Sequence, residues 1–246
     1  MLRPMSEPKI RLYVEHPLDD GQAVALSQDQ AHYLFGVMRL AVGAGVLLFN
    51  GRDGEWRADV AEAGKRGGVL ICRAQTAALR LPPDLWLLFA PIKKARTDFI
   101  VEKAVELGCA RVMPVQTQHT NSERIRQDRL QAHAVEAAEQ CGGTFVPPVD
   151  GLQSLDRVLA GWPADRRILW CNEHLAGRSS ALAGDVAAGP WAILIGPEGG
   201  FSDREQARLS VMPQVVQANL GPRILRADTA AVAAITMWQL ALGDWR

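Results

Sequence analysis

The chain has 246 residues, 48% hydrophobic and 22% charged, enough apolar material to bury the core of one large domain or two smaller ones. Its 27 basic and 27 acidic side chains cancel, so no bulk charge draws in nucleic acid or membrane, and an anionic partner must be met by a local cluster. The four cysteines, Cys72, Cys109, Cys141 and Cys171, form no C-x-x-C pair, which argues against a structural zinc site or a disulfide framework and for the reduced thiols of a cytoplasmic protein.

In chain order, the N-terminal stretch lacks the apolar core of a signal peptide, and no apolar run is long enough to span a membrane. Residues 46–49 are apolar, 50–54 carry asparagine and glycine for a turn, and Trp56, Ala58 and Val60 alternate, which reads as a hairpin. A short helix is expected near residues 31–40 and another strand over 67–74. Together these give a small β-rich, barrel-like domain over residues 1–78. The paired prolines Pro82 and Pro83 then interrupt the pattern as a linker, since proline cannot extend a helix or a central strand.

From residue 79 to 246 the pattern becomes α/β. Short runs at 85–90, 111–115, 167–171, 191–195 and 215–220 are apolar on both faces, as for parallel strands covered by helices. Helices are expected at 97–107, stopped by Gly108, and at 124–141, stopped by Gly142. Ser202 and Glu205 form a capping box that starts a helix, and Asp228 or Thr229 can cap the last one. Strand–helix alternation places ligands at the carboxyl ends of the strands.

Three stretches fall at such ends: "LWCNEH" (169–174), "LIGPEGGFS" (194–202) and "NLGPRILRADTA" (219–230). The glycine loop is neither a Walker loop nor G-x-G-x-x-G. Glu198 and Asp203 oppose a bound phosphate, so the glycines suit close approach to a flat neutral or cationic group, such as an adenosine carrying a sulfonium. The plain structural alternative is a tight turn using glycine for its backbone angles. A basic cluster, Lys93, Lys94, Arg96 and Lys103, follows the first strand of the α/β part. It reads either as a phosphate-binding edge or as a solvated face.

"GPEGGFS", "LGPRILRADTA", "KKARTDFIVEKAVELG" and "EAAEQC" together resemble the RsmE family, 16S ribosomal RNA uridine N3-methyltransferases of the SPOUT superfamily, over nearly the whole chain. The resemblance implies an N-terminal PUA-like domain and a C-terminal SPOUT domain whose parallel sheet is tied in a trefoil knot. It also implies a homodimer that uses S-adenosyl-L-methionine and no metal, acting on 16S rRNA in the small ribosomal subunit. The implied cofactor residues are Leu169, Asn172, Ile195, Gly196, Pro197, Gly199, Gly200, Leu220, Gly221, Ile224 and Leu225. Arg11, Lys93, Lys94, Arg96 and Lys103 become RNA contacts, fixing position through phosphates more than reading sequence. Two departures stand out. Ala227 and Asp228 replace the family's usual Thr-Glu, and Gly143 stands where an arginine is common.

Uridine N3 is a poor nucleophile until its proton leaves. Arg226 or Arg223 is expected to stabilise the charge that develops on the uracil oxygens. Glu198 and Asp228 are the candidate bases, although an ordinary carboxylate is weak for this proton, and Glu198 equally serves to order its loop. Rival readings are another SPOUT methyltransferase, a non-catalytic RNA-binding assembly factor and a nucleotide-dependent Rossmann-type enzyme.

Overall fold

The computed structural model describes residues 8–121, 125–172 and 189–245. Two compact units emerge, one of residues 1–81 with 138–146, the other of residues 82–137 with 147–246.

In the first unit, β1 (Arg11–Tyr13), β3 (Gly45–Phe49), β4 (Glu55–Ala63), β5 (Gly68–Ala77) and β2 (Ala23–Ala25) lie side by side in that order. β1 pairs with β3 in parallel and the remaining pairs are antiparallel. The expected hairpin is β3–β4. Its alternation buries Val46 and Leu48 on β3 and Ala58 and Val60 on β4, against Leu12, Leu34 and Leu70. Register shifts along β4–β5 are the bulges that bend such a sheet. The predicted helix at 31–40 divides. α1 (Gln28–Ala31) starts at a capping box from Ser27 to Gln30, and His32–Val37 continues as a π-helical turn.

In the second unit the sheet is β11 (Val215–Ala218), β9 (Arg167–Cys171), β10 (Trp191–Ile195), β6 (Leu85–Phe89), β7 (Arg111–Gln116) and β8 (Gln153–Ser154). Every pairing is parallel. All five residues of β10 are buried, as both-face coverage by helices requires. The helices of this unit are α2 (Lys94–Glu106), α3 (Gln127–Cys141) as far as residue 137, α4 (Leu155–Ala160), α5 (Asp203–Val211) and α6 (Ala227–Leu242). β8 and α4 lie outside the expected elements. The expected start of α3 at residue 124 lies outside the described residues.

Two helix starts test the capping arguments. α5 begins as expected: Ser202 Oγ accepts from the Glu205 amide, and Glu205 Oε2 accepts from the Ser202 amide at 2.9 Å. α6 does not. Its N-cap is Arg226, with no side-chain cap, rather than Asp228 or Thr229. Asp228 Oδ1 instead accepts from the Thr229 amide at 2.9 Å. At the other end of α6, the buried Gln239 donates through Nε2 to Leu107 O at 2.7 Å. That bond satisfies a carbonyl at the end of α2 that has no partner within its own helix.

Because β10 lies between β9 and β6, the parallel strands bring the loops after β6, β7, β9, β10 and β11 to one edge of the sheet. That edge carries the candidate site.

Candidate functional site

The loops after β9, β10 and β11 close on one cavity of about 210 Å³. From β9 come Trp170, Cys171 and Asn172; from the glycine loop, Ile195, Gly196, Pro197, Glu198, Gly200 and Phe201; from the third loop, Asn219, Leu220, Gly221, Arg223, Ile224, Leu225 and Arg226. Leu169 and Gly199 are not in its wall. Leu169 is fully buried in the sheet, and Gly199 faces His119, whose Cβ lies 3.3 Å from where a Cβ on Gly199 would stand. Gln206, Ala218, Ala227 and Ala230 add to the lining, which spacing within single loops did not indicate. Glu173 and His174 of the first loop lie outside the described residues.

Physical reasons for the loop sequences are visible. A Cβ on Gly196 would stand 2.8 Å from the Phe201 ring, and that ring is itself fixed edge-on against Trp170 at 5.9 Å and 87°. Gly221 has φ +114, a region L side chains avoid, and its amide donates to Asn219 Oδ1 at 2.6 Å. Asn172 joins β9 to β11, with its Nδ2 donating to Gln217 Oε1 at 3.1 Å. Burial pushes the Cys171 thiol up to about 12, so it stays protonated and is no nucleophile.

Electrostatically, Arg96 lies between the two candidate carboxylates. Its Nη1 is 3.5 Å from Glu198 Oε1 and its Nε is 3.7 Å from Asp228 Oδ2. Three residues distant in sequence are thus one ion-pair group, tying the glycine loop to the start of α6. By contrast, the side chains of Arg223, Arg226, Lys93 and Lys94 make no hydrogen bond or ion pair among the described residues, and Arg223 and Arg226 are exposed at the cavity.

A second cavity, of about 260 Å³, lies at the same edge and is lined by residues including Lys93, Lys94, His119 and Asn121. Pro197 and Glu198 line both cavities. The loop after β7 is pinned to the glycine-loop region twice. The Gln118 amide donates to Glu205 Oε1 at 2.9 Å, and His119 Nδ1 lies 2.9 Å from Gly199 O. His119 escaped the sequence reading, because its partner is eighty residues away.

Two expected RNA contacts are otherwise engaged. Arg11 donates to Glu55 Oε2 at 2.7 Å and to the carbonyls of Ala138, Glu139 and Gly143 at 2.5, 3.1 and 2.7 Å. Lys103 pairs with Glu106 at 2.6 Å and stands over the Phe99 ring at 5.4 Å. Among the described residues no group of three or more His, Cys, Asp or Glu side chains is placed to hold a metal, and no helix is long and apolar enough to cross a membrane.

The cavity's chemistry fits a nucleoside without phosphate. Ile195, Phe201, Ala218 and Leu225 supply apolar walls, the close-approach Gly196 exposes backbone, and Asn172, Gln206 and Asn219 supply polar groups. The indole N–H of Trp170 is buried with no hydrogen-bond partner among the described residues.

The sequence matches the RNA methyltransferase domain family over residues 79–239 and the RNA methyltransferase PUA domain family over residues 26–71. A curated relative, ribosomal RNA small subunit methyltransferase E of Rickettsia conorii, is 29% identical over 94% of this chain and 95% of its own length. A crystal structure of ribosomal RNA small subunit methyltransferase E from Neisseria gonorrhoeae, bound to S-adenosyl methionine, superposes with a TM-score of 0.88 at 26% identity, covering 96% of this chain and 99% of that one. A putative methyltransferase of Legionella pneumophila, in complex with the cofactor SAM, gives a TM-score of 0.87 at 28% identity, covering 96% and 98%.

Proposed function

The chain belongs to the RNA methyltransferase domain family, and from that premise we propose that it methylates N3 of one uridine in 16S ribosomal RNA, within the small subunit, using S-adenosylmethionine. The observation that carries the reading is the convergence of three strand-end loops on one cavity suited to a phosphate-free nucleoside, beside Lys93 and Lys94, which make no ion pair among the described residues. The cofactor supplies a methyl group made electrophilic by its sulfonium.

The chain's own residues do the rest. Asn172, Gly196, Leu220, Gly221 and Leu225 hold the nucleoside with the other loop residues around them, Ile195, Pro197, Gly200 and Ile224. The guanidinium groups of Arg223 and Arg226, which line the cavity, stabilise negative charge on the reacting groups. Glu198 and Asp228 are held by Arg96 and serve to order the loops rather than to take a proton. Lys93 and Lys94 meet RNA phosphate or the target base. That base must leave its stack, since N3 lies on the pairing edge.

In this reading residues 1–78 form the PUA-like RNA-docking domain and residues 79–246 the catalytic domain, whose loops after β10 and β11 are tied in a trefoil knot. The protein works in the cytoplasm as a homodimer. Support for the dimer comes from α6, where Val232, Ala233, Thr236, Met237 and Ala241 stay partly exposed at helical spacing and Leu240 is 59% exposed; an apolar helix face of this kind calls for a partner.

The test is methyl transfer to small subunits and to naked 16S RNA, with the modified nucleotide mapped by mass spectrometry. One N3-methyluridine is expected. A different modified atom overturns the assignment, and no S-adenosylmethionine binding in calorimetry favours a non-catalytic RNA-binding role.

A further inference from the structure

The second cavity and its histidine lie outside the role given above to the first cavity, whose wall does not include His119. Their wall is shared with the cofactor cavity only at Pro197 and Glu198. Groups bound in the two cavities are therefore neighbours at Pro197 and Glu198. That is the arrangement a transfer reaction needs, with donor and acceptor each held and their reacting atoms meeting at a common wall.

His119 has a defined tautomer there. A carbonyl oxygen only accepts, so the 2.9 Å contact to Gly199 O places the hydrogen on Nδ1,. In the neutral ring Nε2 then carries a lone pair and no hydrogen, and it makes no hydrogen bond among the described residues. The ring is oriented by a backbone atom of the glycine loop and by the Gln118–Glu205 bond beside it. This is the base-plus-orienter pattern of general base catalysis. The neighbouring charges are Lys93 and Lys94, free of ion pairs among the described residues, and Glu198, which is engaged by Arg96. Two ammonium groups favour an anion in this cavity. Asn121 adds an amide able to donate to a carbonyl oxygen.

We propose that this second cavity seats the acceptor uracil and that His119 Nε2 is the general base that takes the proton from N3. The inference rests on the uridine N3 reading given above. The N3–H bond breaks and its proton moves to Nε2. The electron pair left on N3 makes the new N–C bond, and the donor's sulfur departs as a thioether with the pair of the old S–C bond. Lys93 and Lys94 stabilise the charge that the uracil oxygens carry once N3 has lost its proton. His119 leaves the step protonated and passes its proton to water. This assignment answers the difficulty with the carboxylates, which are poor bases for this proton and are already paired to Arg96.

The experiment starts with the full-length wild-type enzyme on small subunits and maps the product. A product other than N3-methyluridine sinks the underlying reading before His119 is tested. If N3-methyluridine forms, His119→Asn is compared in single turnover. Asparagine keeps a donor for Gly199 O and loses the base. S-adenosylmethionine affinity by calorimetry is expected to stay within about twofold, while transfer falls by about 10²–10⁴-fold, the usual worth of a general base. The acid limb of the rate–pH profile is expected to vanish, and added imidazole to restore transfer in His119→Ala. Transfer within tenfold of wild type, or a slow variant that keeps the acid limb and ignores imidazole, overturns the base assignment. Seating is read separately on the wild-type protein, which removes any dependence on variant folding. Subunits reconstituted with 4-thiouridine at the target should photo-crosslink to the peptides carrying Ile92–Lys94 or His119–Asn121. Crosslinks confined to other peptides overturn the subsite.

Discussion

Replacing Arg11 with alanine removes one guanidinium that makes four polar contacts inside the N-terminal unit. They are the Glu55 carboxylate at 2.7 Å and the carbonyls of Ala138, Glu139 and Gly143. The group also stands 4.5 Å over the Phe49 ring. The ion-pair side chains are only 11% and 12% exposed, so alanine leaves a largely buried carboxylate without its cation and helix-end carbonyls without their donor. Thr76 Oγ1 still donates to Glu55 at 2.8 Å, which relieves part of the loss. Breaking a buried pair in this way costs about 3–5 kcal/mol. At roughly 2–4 °C per kcal/mol for a chain of this size, the melting temperature should fall by about 6–20 °C. Calorimetric melting with and without S-adenosylmethionine measures it, alongside binding to small subunits at several salt concentrations. A variant that melts with the wild type and binds subunits more weakly, with a shallower salt dependence, would show that Arg11 spends its charge on phosphate instead.

Three further outcomes are expected. Gly196→Ala forces a methyl against the Phe201 ring, 2.8 Å away and backed by Trp170; overpacking of this kind costs about 1–3 kcal/mol, read as a lower melting temperature and weaker S-adenosylmethionine binding, and unchanged values for both would refute the contact argument. Arg226→Ala should slow methylation of small subunits by about 100-fold, as for loss of one charge-stabilising donor, whereas a wild-type rate refutes its electrostatic role. The Asn50 side chain, then the Leu18 amide, hold the Asp53 carboxyl below its ordinary value of 3.8. The carboxylate therefore stabilises the fold above that value, and the contribution is lost as pH falls through the lower folded value. Asp53→Asn should accordingly be less stable than wild type at neutral pH, with the difference closing in strong acid; a gap that persists there breaks the linkage argument.

The central parallel strands of the second unit, β6, β7, β9 and β10, were readable because their middle residues are buried on both faces and so leave an apolar run such as "WAILI" between breakers. β1, β2 and β8 have three, three and two residues, too few to show any period. The π-helical turn at His32–Val37 keeps helix-like apolar spacing, so periodicity reads it as ordinary helix. The α5 cap was legible because both of its partners lie within four residues. The α6 cap was not, because the residue that takes the position, Arg226, contributes backbone alone. At the site, glycine loops announce themselves locally, and sheet order then brings them together. The Arg96–Glu198–Asp228 group joins α2, the glycine loop and α6, and the His119–Gly199 bond joins two loops, and spacing within one segment carries no trace of them. Arg11 shows the converse, since a cation near a suspected RNA-binding domain reads as a surface group until its buried partners are seen.

The division of the chain has a consequence for its biosynthesis. Residues 138–146 complete the first unit, although residues 82–137, which precede them, belong to the second. A chain emerging from the ribosome therefore cannot finish its amino-terminal unit in order of synthesis. Until the end of α3 is out, Arg11 has no helix carbonyls to bind, and the Tyr13 amide lacks Glu139 Oε1, its acceptor at 2.9 Å. Fragments cut at residue 81 carry the same deficit, so the unit is better expressed with its later segment than as a simple N-terminal fragment.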